Sequence, residues 1–221
     1  MKNTLNTFFS NKANIVKVLL AFYYLVGFLG LTHPLTAELF KSLIPFTILA
    51  STFILLLYHP AWHKWHIAAF AVIALLGYWI EVAGVATGII FGDYEYLYAL
   101  GFEILKTPPI IGLNWLMLIY AVFSLLEPLK WPALAKIFAG SLLMVGYDII
   151  LEPVAMALNM WTWEGEIVPI QNYMAWFFIS FLFLFIMHRS KVVAKNPIGG
   201  YLFVLQFAFF LALNIFFSFH G

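Results

Sequence analysis

Three carboxylates, Glu81, Asp148 and Glu152, lie inside apolar runs long enough to cross a membrane. An acid in hydrocarbon is costly and nearly always faces a protein interior or a water-filled cavity, so each is a candidate for function. Asp148 and Glu152 are four residues apart, a spacing that stacks them on one helix face. Low dielectric disfavours a charged carboxylate, and a second acid beside it disfavours the charge further. Such a pair holds one proton between its members and offers an acid and a base side by side. That suits proton transfer to or from an apolar substrate.

Other candidates for chemistry are weaker. The chain has no cysteine, which removes disulfides, thiolate metal sites and a cysteine nucleophile. No H-E-x-x-H, G-x-S-x-G or phosphate-binding glycine loop is present. His59, His63 and His66 have helical spacing but lie among Trp62 and Trp65 with no carboxylate near. They are expected to belong to an interfacial aromatic belt rather than to a metal site. No metal site is expected. The last apolar run, from Gly199 to Phe219, has no lysine to carry a retinal Schiff base.

The elements that must position the acids are membrane helices. The chain has 221 residues, 64% hydrophobic and 10% charged, with mean hydropathy +0.97. A soluble domain is nearer half apolar and a quarter charged. The expected fold is all-α: a polytopic membrane protein of about seven transmembrane helices in one domain spanning residues 1–221. The spans are placed near 15–32, 40–58, 67–90, 110–127, 133–153, 170–188 and 199–219. The first lacks a small-residue cleavage motif and is expected to be retained.

A cytoplasmic N-terminus puts Lys2, Lys12, Lys17, Lys64, Lys130, Lys136, Arg189, Lys191 and Lys195 inside, and only Lys41 and Lys106 outside. This is the positive-inside pattern. All three acids then fall in the outer half of the membrane. Asn114 and Asn172 open the fourth and sixth spans at the same side. Five polar groups from four helices thus share one depth, as residues lining one cavity would.

Pro153 follows Glu152 directly, and the fifth span is expected to kink or end there. Gly84 and Gly88 form a GxxxG pair expected to admit a neighbouring helix. The aromatic loop from Phe91 to Gly101 is expected to form an interfacial segment or a lid over the outer cavity. Net charge is +1, which argues against nucleic acid as a partner.

Taken together, several of these pieces resemble one family. The run Glu81-x2-Gly84-x3-Gly88-x2-Phe91-Gly92-x-Tyr94-x-Tyr96 is similar to the CruF-type carotenoid biosynthesis proteins, the carotenoid 1,2-hydratases. So are Leu100-Gly101, Pro108-Pro109 and Asn114-Trp115. The second half adds Asp148-x3-Glu152-Pro153-x-Ala155, Trp161-x-Trp163 and Asn172-Tyr173-x2-Trp176. The resemblance covers a motif-bearing core of roughly residues 75–180. One departure stands out: many members carry Asp where this chain has Glu152, one methylene longer.

The resemblance implies a cofactor-independent lyase that adds water across the terminal 1,2 double bond of an acyclic (ψ) carotenoid end. Protonation of that alkene gives a tertiary cation at the methyl-bearing carbon, so the protein must donate a proton, stabilise the cation and deliver water. The expected roles are Asp148 as general acid, Glu81 as cation stabiliser or base, and Glu152, Asn114 and Asn172 as positioners of water or substrate. Trp115, Tyr94, Tyr147, Trp161, Trp163 and Tyr173 are the expected aromatic contacts. The expected partners are a lipophilic carotenoid, membrane lipid and other carotenoid enzymes, in the bacterial cytoplasmic (inner) membrane. Two other readings use the same acids: an end-group cyclase that quenches the same cation internally, and a proton-coupled carrier. A third, a non-catalytic pigment-binding protein, needs the aromatics but not the acids.

Overall fold

Helices form wherever the apolar runs are long, because hydrocarbon leaves the backbone no other way to satisfy its polar groups. The computed structural model describes residues 2–220, with side chains from Lys12 onward. Its helices are α1 (Lys2–Thr32), α2 (Ala37–Ser42), α3 (Ile44–Leu57), α4 (Lys64–Thr87), α5 (Ile110–Leu126), α6 (Ala133–Ala157), α7 (Ile170–Arg189) and α8 (Gly199–His220). Five of these, α1, α4, α6, α7 and α8, are long and apolar enough to cross a membrane; α3 and α5 are shorter and equally apolar. The protein is a polytopic, all-helical membrane protein.

Two expected boundaries change. The span placed at 40–58 divides at Leu43, since Pro45 opens α3 and supplies no N–H to continue α2. Helix α6 does not end at Pro153 but runs through it to Ala157.

Helix α5 is the axis of the bundle, packing against α3, α4, α6, α7 and α8. Every residue from Trp115 to Val122 is buried, as expected of a helix apolar on all sides. On the outer helices, Phe22, Phe46, Leu75 and Phe178 remain exposed, a surface that suits lipid. Lipid gives helices no hydrophobic reason to associate, so close packing must hold them. At the α4–α5 crossing a Cβ on Gly77 would lie 2.9 Å from the Cβ of Trp115, and one on Gly112 would strike the Ala74 carbonyl.

Outside the helices, two three-residue strands pair: β1 (Tyr94–Tyr96) and β2 (Trp161–Trp163). They run antiparallel, with Tyr94 opposite Trp163 and Tyr96 opposite Trp161. Backbone bonds from Leu97 to Met160 (2.9 Å) and from Glu164 to Asp93 (3.0 Å) extend the ribbon at both ends.

At the opposite end of the bundle, Trp62, Trp65 and Trp131 are exposed, as belt residues should be. His59 and His66 are not belt residues: both are buried. The Ala61 carbonyl accepts from His66 Nδ1 at 2.9 Å, so that nitrogen carries the proton. His59 Nε2, 3.2 Å from it, therefore accepts, and His59 Nδ1 donates to the Tyr120 hydroxyl at 2.5 Å. Burial and the neighbouring His66 hold the His59 imidazole below its usual range, which keeps it neutral. Asn196, before α8, joins the same hydroxyl at 3.2 Å and the Leu55 carbonyl at 2.8 Å.

The α4–α5 contact predicts a contrast between two glycines. Gly112→Ala forces a methyl against the Ala74 backbone and should cost about 1–3 kcal/mol, whereas nothing lies within 4 Å of a Cβ on Gly146. Thermal unfolding in detergent should show a lowered Tm for Gly112→Ala and little change for Gly146→Ala.

Candidate active site

The three acids arrive from two helices. Glu81 projects from the last third of α4; Asp148 and Glu152 lie one turn apart on α6. All three are buried. Among the described residues the ion pairs are elsewhere, Lys41 with Glu38 and Lys136 with Glu127. The acids are held instead by neutral hydrogen-bond donors.

Glu81 receives three of them. Tyr94 and Tyr96 hydroxyls donate to Oε2 at 2.6 and 2.7 Å, and Trp115 Nε1 donates to Oε1 at 2.9 Å. Burial and the adjacent Glu81 carboxylate push both phenols well above their usual range, so they remain protonated donors. Glu152 is held the same way: Trp161 and Trp163 Nε1 donate to Oε2 at 2.9 and 2.7 Å. Asn172 links the α6 pair, its Nδ2 lying 2.6 Å from Asp148 Oδ2 and 3.4 Å from Glu152 Oε1. Asp148 Oδ1 receives no donor from the described residues.

The ribbon explains how one short segment supplies so many donors. Side chains alternate across a strand, so Tyr94, Tyr96, Trp161 and Trp163 share the face that meets the acids, while Glu95 and Thr162 turn outward. The expected lid is thus a β-ribbon built from two loops, not a segment of one loop. Gly84 and Gly88 serve this ribbon rather than a neighbouring helix. A Cβ on Gly84 would lie 2.5 Å from the Phe91 ring, and Gly88 ends α4 with φ +64° where a side chain would strike Asp93.

A chamber of about 30 Å³ lies between the acids, room for a water or two. Glu81, Glu152, Asn114 and Asn172 line it, with walls from Trp115 and Trp176, whose rings stand 4.5 Å apart. Beside it runs a largely apolar groove of about 120 Å³ between α1, α3, α5, α6 and α8. Ile111, Asn114, Leu151 and Trp161 line both spaces and form the wall between them. The Asn114 amide takes part in no hydrogen bond among the described residues and is available to both sides.

Nine of the eleven residues singled out from sequence converge on the chamber or its acids. Tyr147 lines the groove instead. Tyr173, about 100° around α7 from Asn172, is half-buried and lines neither space. Asp148 is fully buried and lines neither space; it meets the chamber through Asn172. Tyr96 and Trp176 carry the family resemblance but no expected role, and Gln206 belongs to neither; the period-two Tyr-x-Tyr pattern was the available signal for the first.

The arrangement is an electron-rich, water-sized chamber walled by aromatic faces, opening beside an apolar groove. It can donate a proton, hold a transient cation and retain one water.

Comparison with known proteins adds one match. The sequence profile of the family described as "Carotenoid biosynthesis protein" matches residues 43–220, and the chain belongs to that family. No curated protein and no solved structure shows a significant match.

The indole clamp predicts how Glu152 variants behave. Glu152→Leu leaves two buried indole N–H groups without an acceptor, at about 1–3 kcal/mol each. Its Tm should fall by roughly 5–10 °C. Glu152→Gln keeps an acceptor oxygen and should lose less than half as much in the same thermal unfolding measurement.

Proposed function

We propose that this member of the carotenoid biosynthesis family is a membrane hydratase. It adds water across the terminal 1,2 double bond of an acyclic (ψ) carotenoid end and forms a tertiary alcohol. One observation carries the reading: a chamber sized for water, ringed by clamped acids, shares a wall with an apolar groove. Substrate end and water are then held apart until the double bond reaches the acids at Asn114.

The alkene π pair takes a proton at C2, and the positive charge appears at C1, which bears two methyls. The proton comes from the Asp148–Glu152 pair. Asp148 has an oxygen without a donor, where a proton can reside, and Glu152 presents the pair to the chamber. Glu81, held by three donors, faces the cation as a fixed negative group, and the faces of Trp115 and Trp176 add their quadrupoles. A chamber water, positioned by Asn114 and Asn172, forms the C1–O bond. Its extra proton passes to Glu81 and returns to the pair through the chamber. No electrons leave the system, so neither redox cofactor nor metal is required by the balance.

The charge bias supports a reading in which the ribbon end of the bundle faces the outer side of a bacterial cytoplasmic membrane. A carotenoid is about as long as the hydrocarbon core is thick, about 30 Å. A molecule aligned with the bilayer normal brings its end group to this depth.

The test is expression in a bacterium that makes lycopene, followed by mass analysis of the extracted pigment. A product heavier by one water, with an unchanged chromophore, is expected. Asp148→Asn and Glu81→Gln should each remove it while leaving folded protein in the membrane. Glu152→Asp shortens the clamped arm by one methylene and should lower the yield without abolishing it. A pigment isomer of unchanged mass means cyclisation instead, and full activity in either acid variant removes that residue from the mechanism.

A further inference from the structure

Several polar side chains line the groove, and one of them keeps a buried atom without a partner that the proposed reaction does not use. Gln206, on α8, is 4% exposed and lines the groove. Its Nε2 donates to the Tyr24 hydroxyl at 2.7 Å, and Tyr24 shares a hydrogen bond with Ser51 at 3.0 Å. Nε2 also lies 3.6 Å from Met117 Sδ, an acceptor, which sets the nitrogen on that side of the amide. The other end, Oε1, receives no donor from the described residues. A buried amide oxygen without a donor is expensive, and more so where the surroundings are hydrocarbon.

Its place in the groove is informative. Gln206 lies on the α8 face that carries Phe203 and Phe210, whose rings pack on Tyr147 at 5.7 Å. Met117 follows Asn114 by three residues on α5, so the amide sits just under one turn deeper than the wall to the chamber. A lipid chain in the groove runs past it. The group that satisfies Oε1 is a hydrogen-bond donor, and the donor a neutral lipid chain most simply carries is a hydroxyl.

We propose that Gln206, braced by Tyr24 and Ser51, is a recognition site for a hydroxyl near the end of a long polyene, so that the groove prefers a hydroxylated chain to the parent hydrocarbon. This rests on the reading of the groove as the polyene site. In that reaction the bound species is the tertiary alcohol, drawn back from the chamber by its own new hydroxyl as the next water enters. Gln206 is thus a specificity residue: it touches the lipid but not the reacting carbons.

The experiment is equilibrium binding to the full chain in lipid nanodiscs, read by quenching of tryptophan fluorescence. The two probes are lycopene and its 1-hydroxy derivative. Wild type should bind the alcohol about tenfold more tightly, and Gln206→Met should bring the two affinities together by weakening the alcohol alone. Equal affinities in wild type overturn the proposal, as does a preference that survives in Gln206→Met. The wild-type comparison stands even where the variant does not fold. A chain that shows the preference but makes no hydrated pigment retains this site and loses the hydratase reading; one that hydrates with no preference does the reverse.

Discussion

Everything around the site follows from placing three carboxyl groups away from bulk water and from any basic side chain among the described residues. A carboxylate in such a place must be satisfied by hydrogen-bond donors that bring no charge of their own. Two phenols, three indoles and an amide supply them. Each donor is bulky and rigid, so each must be delivered at a fixed angle. The ribbon, the glycines at the end of α4 and the tilt of Trp115 from α5 are the means of delivery. Had a lysine or arginine filled this role, the chamber would be neutral and of little use to the cation of the proposed reaction. Neutral donors hold the acids while preserving their field.

The wall between chamber and groove gives that field a direction. On one side lies a space of about 30 Å³ with polar edges, on the other about 120 Å³ lined mostly by aliphatic and aromatic side chains. A carbocation formed beside bulk water would be captured at once and without selection. In the proposed reaction the aromatic faces and the small chamber limit the water to what the asparagines can hold. Leu151, which precedes Glu152 on α6, and Trp161, which donates to Glu152, line both spaces and so connect the two environments at that acid.

Much of this was legible in the sequence. Hydropathy located all seven apolar helices, because in a membrane apolar length and helix coincide. Charge bias put five polar residues from four helices at one depth, and they do converge. What was not legible depends on contacts made at long range. Strands of three residues leave too short a pattern to read, and pairing between residues 94–96 and 161–163 joins loops far apart in the chain. Gly84 and Gly88 looked like a helix-packing pair because their spacing is the same whether a helix or the returning loop fills the space. His59 and His66 looked interfacial from their tryptophan neighbours; Tyr120 and Asn196, which bury them, come from distant segments. Gln206 stood in an unbroken apolar run with nothing to announce that its oxygen would be left over.

The antiparallel pairing of the ribbon has a geometric corollary. Two strands in this register are related by a local two-fold axis that passes between Glu95 and Thr162. The order of elements along the chain repeats beyond the strands. On each side a long helix bearing a glutamate leads into an aromatic-x-aromatic strand and a short 3-10 turn. A helix led by a proline then follows, with an asparagine in its first turns and a tryptophan facing the chamber. Glu81 and Glu152 are thus pseudo-equivalent, each gripped by the strand that follows it. A perfectly symmetric pair would treat proton donor and proton acceptor alike. Asp148 has no counterpart on α4, where Gly77 occupies the position four residues before Glu81. With tyrosines on one strand and tryptophans on the other, that departure from symmetry makes one half of the chamber different from the other, and the proposed directional reaction needs such a difference.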